Sequence, residues 1–88
     1  MNENLGLPVE IEADRLEPSG FTKLYEKHRL PVYRYLRART NSDEDALDLA
    51  ATTFERAYAN LGRFRRRDGG VQAWLLRIAR NTAIDAHR

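Results

Sequence analysis

Apolar residues recur three and four positions apart in three segments of this chain, and no segment alternates apolar and polar residues as a strand would. The segments cover residues 20–39, 42–61 and 71–88, and the spacing predicts a helix in each. A chain of 88 residues buries only ~60–65% of the surface that its unfolded form exposes, so its core must be economical. We therefore predict an all-α fold: a compact three-helix domain over residues 19–88, preceded by a flexible acidic tail over residues 1–18.

The first helix contains a proline yet keeps its apolar phase. Pro31 lacks the N–H that would donate to the carbonyl of Lys27, and a proline costs ~3 kcal/mol in a helix interior. Because the stripe continues on both sides, we predict one helix kinked at Pro31 rather than two, with Ser19 as its cap. His28 is interpreted as a partly buried core residue rather than a metal ligand. The predicted inward stripe consists of Phe21, Leu24, Tyr25, His28, Val32, Tyr35, Leu36 and Arg39.

Capping residues place the other two helices. Ser42 precedes three acidic residues, so we predict that it caps the second helix and that the acids occupy the positive end of the helix dipole. Gly62 is the predicted stop of the second helix, and Asp68 the predicted cap of the third. The second helix is predicted to bury Leu47, Ala50, Ala51, Phe54, Ala57, Tyr58 and Leu61. The third is predicted to bury Val71, Trp74, Leu75, Ile78 and Thr82.

Charge is unevenly distributed along the chain. Residues 1–20 carry five acidic residues against one arginine, a net −4, so the rest carries +6 of the total of +2. From Gly62 to the end, seven arginines face two aspartates, while residues 43–55 contain five acidic residues. A basic end favours a polyanionic partner, and an acidic middle favours a second, different partner. The alternative is that both are ordinary solvated helix faces.

Several classes of function are disfavoured by what the sequence lacks. There is no cysteine, and the two histidines lie on different predicted helices without acidic residues at metal-ligand spacing. The start of the chain does not read as a signal peptide, and no apolar run approaches the ~20 residues that span a bilayer. We therefore expect a cytoplasmic domain that is not an enzyme and holds neither metal nor cofactor.

The segment FRRRDGG, residues 64–70, combines an aromatic ring, three arginines and two glycines ahead of the third helix. Arginines contact phosphates without sequence choice, and a base stacked on an aromatic ring gains ~1–3 kcal/mol. The polar face of the third helix then continues the basic surface, with Asn81 able to bond a base edge. We predict a nucleic-acid site formed by Phe64, Arg65, Arg66, Arg67, Arg77, Arg80, Asn81 and Arg88. Taken singly, Phe64 is favoured to fill the gap between helices and Trp74 to be core, and the alternative for the arginines is that they only solubilise the loop. Their coincidence on one segment shifts the balance toward binding.

Three strings carry a resemblance to a known family: DLAATTFERAY at 48–58, LGRFR at 61–65 and AWLLRIARNTAID at 73–85. They resemble the second conserved region of bacterial sigma factors of the extracytoplasmic-function type, in the sigma-70 superfamily. The similarity extends back through LYEKHRLPVYRYLRAR at 24–39 and covers about Phe21 to Arg88. The string WLLRIARNTAID is highly specific, and the order of the motifs more so.

The resemblance implies a transcription initiation domain that binds core RNA polymerase and recognises and melts the −10 promoter element as single-stranded DNA. In such domains the second helix docks on the clamp helices of the largest polymerase subunit. The positions that match the polymerase-facing ones are Asp48, Leu49, Thr52, Glu55 and Arg56. The promoter-facing positions match Phe64, the arginine loop, Arg77, Arg80 and Asn81. An anti-sigma factor is a further expected partner, and a membrane is not.

The sequence departs from the family pattern at a few positions. Ala51 and Thr52 stand where family members usually have Gln-Glu, so we expect weaker polymerase binding than in typical relatives. Val71 replaces a common aromatic residue, and the loop before Trp74 is about one residue longer than usual. Relatives continue past the position of Arg88 to a domain that reads the −35 element, so we expect either an isolated domain or a truncated one.

Two other functions remain open from the sequence. The first is a protein-interaction module that engages an anti-sigma regulator without productive polymerase binding. The second is a membrane-surface module with Trp74 as its interfacial anchor, although the inward phase of Trp74 counts against it.

Overall fold

The computed structural model describes residues 15–88, which form three α-helices joined by short links. The helices are α1 (Phe21–Arg37), α2 (Asp43–Ala59) and α3 (Val71–Ala86), and each contacts the other two. Single 3₁₀ turns occupy Pro18–Gly20, Leu61–Arg63 and Arg66–Asp68. The predicted three-helix fold is confirmed, and α1 runs through Pro31 as one helix. Residues 1–14, and with them most of the predicted acidic tail, lie outside the described residues.

Of the predicted helix boundaries, the cap of α2 is confirmed, whereas the Ser19 cap and the Gly62 stop are wrong; the side chain of Asp68, the predicted cap of α3, lies outside the described part of the structure. The backbone N–H of Asp45 donates to Oγ of Ser42 at 3.0 Å. The residues before α1 and α3 are Gly20 and Gly70, and neither helix has a side-chain cap. Ser19 does not cap α1 because it lies inside the 3₁₀ turn that leads into the helix. Helix α2 ends at Ala59, before Gly62. At this end of the helix, Nδ2 of Asn60 donates to the carbonyl of Arg56 at 2.7 Å.

The core lies where the three helices meet. Its apolar members are Leu24, Val32, Leu36, Ala46, Phe54, Ala57, Leu61, Phe64, Val71, Trp74, Leu75, Ala79 and Ala83. His28, Thr53 and Thr82 are buried with them. The hydroxyls of Thr53 and Thr82 each donate to the carbonyl four residues earlier at 2.8 Å, so both are buried without losing a hydrogen bond. The interpretation of His28 and Trp74 as core residues is confirmed.

The predicted inward face of α2 is partly wrong. Leu47 and Tyr58 are 59% and 54% exposed, and Ala51 is exposed as well. The helix is rotated so that Ala46, Thr53 and Ala57 face the core, with Phe54 at the edge of the buried stripe. Small residues at these positions let α2 approach its neighbours closely, while the larger Leu47 side chain points to solvent and the Tyr58 ring is only partly covered, by Phe21.

Aromatic rings fill the seam between α1 and α2. Phe21 meets Tyr58 edge to face with ring centroids 5.1 Å apart, and Tyr25 meets Phe54 in the same way at 4.9 Å. Edge-to-face pairs of this kind contribute ~0.5–1.5 kcal/mol beyond burial. Tyr25 was predicted inward but is 41% exposed because it lies at the outer edge of this seam. Arg39, also predicted inward, is exposed beyond the helix end, with its guanidinium 3.7 Å from the centroid of Tyr35.

A polar network closes the corner between α1 and α2. Nε of Arg37 donates to Oδ1 of Asp43 at 2.7 Å, and the hydroxyl of Tyr33 donates to the same oxygen at 3.0 Å. The hydrogen bonds from Arg37 and then Tyr33 lower the pKa of the Asp43 carboxyl. Partial burial, followed by the hydrogen bond to Asp43, raises the pKa of the Tyr33 phenol.

Across residues 15–88, none of the helices has the length and apolar character needed to cross a membrane.

Candidate nucleic-acid interface and partner-binding face

The link between α2 and α3 is anchored by buried apolar side chains. The ring of Phe64 is 0% exposed and packs edge to face against Trp74, with centroids 5.4 Å apart. Leu61 is buried nearby. The ring of Phe64 therefore has no exposed face on which a base could stack, and the structure gives this residue the packing role that sequence analysis held as the alternative. The hypothesis of Phe64 as a stacking surface does not fit this geometry.

The three arginines of the loop are not equivalent. Nη1 of Arg65 donates to the carbonyl of Gly62 at 2.8 Å and to that of Phe64 at 2.7 Å. Its side chain is half-buried and braces the loop backbone. Arg66 and Arg67, by contrast, are exposed. The latter two are therefore the guanidinium groups of this loop that a phosphate chain can reach most directly.

Two glycines turn the loop into α3. Gly69 and Gly70 have φ angles of 99° and 92°, and Gly70 combines its value with a ψ of 172°. L-residues rarely adopt this region of backbone space. A Cβ at Gly69 would also lie 3.3 Å from the Cβ of Ala73. The turn therefore depends on glycine at both positions.

A cavity of about 440 Å³ opens beside this turn. It is lined by Lys27, His28, Arg66, Gly69, Gly70, Val71 and Gln72. Two of these side chains are cationic, and the first turn of α3 points its positive dipole end in the same direction. The lining includes the hydrogen-bonding side chains of Arg66 and Gln72, which can hold an electron-rich group by charge and hydrogen bonds.

Sequence analysis missed three residues of this cavity. Lys27 and His28 come from α1, and Gln72 comes from the first turn of α3. Nδ1 of His28 lies 3.2 Å from Oε1 of Gln72, across a sequence separation of 44 residues. Local periodicity carries no signal for a contact of this kind, since it reports only that His28 faces inward.

The exposed face of α3 extends the basic surface away from the cavity. Arg77, Arg80 and Asn81 are all exposed, and their spacing of three and four residues places them on one side of the helix. Ile84 continues this side at 39% exposure, and Arg88 follows beyond the helix end, also exposed. The structure thus presents the predicted helix residues together, next to the loop that carries Arg66 and Arg67.

The residues predicted to face polymerase divide into two groups. Asp48 and Glu55 are exposed on the outward side of α2, together with Leu47 and Ala51. Thr52 is half-buried at its edge. The outward side of α2 therefore pairs acidic groups with exposed apolar surface.

The second group turns inward. Leu49 is half-buried and packs against the core. Nη1 of Arg56 donates to Oδ2 of Asp85 at 2.9 Å and to the hydroxyl of Thr82 at 3.4 Å. The Arg56 side chain is 41% exposed, but its guanidinium is already engaged by two side chains of α3.

Comparison with known proteins identifies the family. The Sigma-70 region 2 family model matches residues 24–88, which are 65 of the 88 residues. Over 69 residues the chain is 38% identical to the ECF RNA polymerase sigma factor BldN of Streptomyces coelicolor, a match that covers 78% of this chain and 26% of BldN. Over 63 residues it is 35% identical to the ECF RNA polymerase sigma factor SigM of Bacillus subtilis, covering 72% of this chain and 37% of SigM. The chain thus spans less than half the length of either relative, and no solved structure gives a significant match.

The family match and the fold agree along the same residues. The matched range begins within α1 and includes all of α2, the arginine loop and α3. The resemblance seen in the sequence motifs is confirmed by this match and by the two relatives. The chain belongs to the Sigma-70 region 2 family.

Proposed function

We propose that this domain acts in transcription initiation by binding core RNA polymerase through α2 and capturing the −10 promoter element as a single strand. The observation that carries the proposal is the set of four exposed arginines on the loop and on α3, Arg66, Arg67, Arg77 and Arg80, with Arg66 lining the cavity. Exposed arginines bind a phosphate backbone, and the cavity beside Arg66 can accommodate an extruded base.

The geometry revises how a base would be held. Extruding a base costs a few kcal/mol of stacking, which the site must offset. Since Phe64 is buried, stacking on its ring is not available. Hydrogen bonds within the cavity offset the cost of unstacking instead, since the amide of Gln72 and the guanidinium of Arg66 belong to its lining. Asn81 on the exposed side of α3 reads a neighbouring base edge.

The polymerase-binding part of the proposal rests on the outward side of α2. Asp48 and Glu55 supply negative charge, and Leu47 and Tyr58 supply exposed apolar surface beside them. Mixed surfaces of this kind suit a protein partner that is basic and partly apolar. Ala51 is exposed on this side and stands where relatives usually have a longer polar residue, so the affinity is lower than in typical relatives.

An experiment on DNA tests the promoter-binding part. Single strands enriched from a randomised pool are compared with scrambled strands of the same composition, each titrated at two salt concentrations. Asn81→Ala lowers the enriched-to-scrambled affinity ratio, whereas Arg77→Ala lowers both affinities equally and flattens the salt dependence. If the wild-type protein binds duplex and single strands alike, or Asn81→Ala leaves the ratio unchanged, the proposed reading of single-stranded DNA is wrong.

A second arm separates the alternatives. A pull-down with purified core polymerase tests the role of α2, and a domain that binds an anti-sigma regulator but no polymerase would be an interaction module only. Binding to anionic vesicles tests the membrane-surface alternative. Trp74 is 7% exposed, so it is not placed to serve as an interfacial anchor, and we expect no vesicle binding beyond that of the arginines.

A further inference from the structure

His28 connects the interior of α1 to the first turn of α3. Its side chain is 5% exposed, and its Nδ1 lies 3.2 Å from Oε1 of Gln72. With Nδ1 protonated, the ring donates to the amide oxygen. Both residues line the cavity beside the arginine loop. A hydrogen bond from the rigid core thus reaches the segment that shapes the cavity mouth.

The start of α3 has few other local restraints. It has no side-chain cap, and the residues before it are the two positive-φ glycines. Glycine has the widest backbone freedom of any residue. Val71 and Trp74 fix the body of the helix by burial, but burial does not specify the orientation of the polar side chains of the first turn. A directional hydrogen bond specifies that orientation.

Gln72 has a second polar end, the NH₂ group of its amide. Its Oε1 faces His28, and among the described side chains of residues 15–88 none accepts a hydrogen bond from its Nε2. The residue is exposed and lines the cavity. Fixing the oxygen on His28 therefore presents the NH₂ group as a donor of defined direction.

We propose that His28 is a positioning residue and Gln72 the specificity-determining residue of this cavity. His28 holds the Gln72 amide so that its NH₂ group donates to an acceptor on the edge of an extruded base, and it fixes the Gly69–Gly70 turn at the same time. The inference rests on the proposed capture of single-stranded DNA. It assigns base discrimination, rather than phosphate affinity, to a contact between α1 and α3.

The first test uses no DNA. In a ¹H–¹⁵N spectrum the backbone resonances of Gly69 and Gly70 report the turn, while those of Gly20 and Gly62 serve as internal controls. His28→Leu and Gln72→Met should move the first pair in the same way and leave the second pair in place. His28→Asn, which returns an amide donor close to the position of Nδ1, should restore the wild-type positions. Shifts that spread equally to Gly62, or no shift at all, would overturn the positioning role.

The second test measures discrimination. The enriched strand is compared with strands that differ at one base, for the wild-type protein, His28→Leu, Gln72→Met and the double variant. Each single variant should lower the affinity ratio about tenfold, the size of one lost base contact, and the double variant should lower it no further. The salt dependence of affinity should stay unchanged, and His28→Asn should recover most of the ratio. Additive losses, or a lower affinity for every strand with the ratio unchanged, would overturn the proposal.

The two tests also separate this inference from the proposed function. Gln72 is exposed, so Gln72→Met keeps the fold even if His28→Leu does not. If the wild-type protein binds no single strand, the proposed function and the base-reading role of Gln72 both fail. The glycine resonances still decide in that case whether His28 positions the turn.

Discussion

Arg56 and Asp85 join α2 to α3 through a hydrogen-bonded ion pair, with Nη1 and Oδ2 2.9 Å apart. The side chains of Arg56 and Asp85 are 41% and 46% exposed. The guanidinium also reaches the buried hydroxyl of Thr82 at 3.4 Å. The pair links the helix proposed to bind polymerase to the helix proposed to bind DNA, so a change at Arg56 acts on the packing of both.

We expect a small coupling between these two residues. In a double-mutant cycle of Arg56→Ala and Asp85→Ala, the coupling free energy should be ~0.2–1 kcal/mol, as for a solvent-screened pair. Arg56→Glu should cost more, since it opposes a second carboxylate to Asp85. Urea unfolding of the four proteins measures both quantities, and strictly additive losses would show that the pair contributes nothing.

Because Arg56 is part of the fold, the polymerase-binding face is best tested at its exposed acids. Asp48→Arg and Glu55→Arg should each weaken polymerase binding in a pull-down while leaving the melting temperature nearly unchanged. Glu26→Arg makes the same change of charge at an exposed position of α1 and serves as the control. If both α2 variants bind as much polymerase as the wild-type protein does, the outward side of α2 does not have the proposed role.

The loop arginines should separate into bracing and binding roles. Arg65→Ala removes a donor from the carbonyls of Gly62 and Phe64 and should cost ~0.5–1.5 kcal/mol of stability. Arg67→Ala should leave stability unchanged and lower the salt slope of single-strand binding by ~0.7, the value for one phosphate contact. Thermal melting and titrations at several salt concentrations test the pair. An unchanged melting temperature for Arg65→Ala, with a lowered one for Arg67→Ala, would contradict these roles.

The turn before α3 should tolerate no side chain at Gly70. Its φ of 92° and ψ of 172° cost an L-residue on the order of 1–3 kcal/mol, although the position itself is open. Gly70→Ala should therefore destabilise the domain and weaken single-strand binding. Gly62→Ala is the matched control, since Gly62 is also open but has no positive φ. Equal unfolding midpoints for the two variants in urea would contradict a strained turn.

The corner at Asp43 should make stability depend on acid pH. Its pKa is lowered in the folded state by Arg37 and Tyr33, so the stabilisation is complete above the ordinary carboxyl pKa of about 4. It is lost as pH falls through the lower, folded-state pKa. Asp43→Asn should reduce stability at neutral pH, with the difference from wild type shrinking toward pH ~2. Urea unfolding across this range measures it, and a pH-independent difference would exclude the linkage.

The three helices could be predicted because their signals are local. Apolar spacing, the Ser42 cap and a stripe that keeps its phase through Pro31 each depend on residues within a few turns of one another. The phase of α2 could not be predicted in the same way. Periodicity by hydrophobicity favours burial of Leu47 and Tyr58, whereas the fold buries Ala46 and Thr53, whose small size allows close helix contact.

The candidate site was predictable in composition but not in arrangement. Arg66, Arg67, Arg77 and Arg80 are exposed, as charge and helical spacing favour, whereas Arg65 is half-buried against the loop backbone. The inward turn of Arg56 depends on Asp85, and the cavity depends on Lys27, His28 and Gln72. These partners come from different helices, and a single sequence contains no local signal that pairs them.

The edge-to-face contact of Phe64 with Trp74 also gives the protein an optical probe of its own. Trp74 is the single tryptophan of the chain, and its ring is packed at the point where the arginine loop meets α3. Its emission therefore responds to the separation of loop and helix without any label. Strand capture, loop opening and unfolding can each be followed in real time from the same side chain.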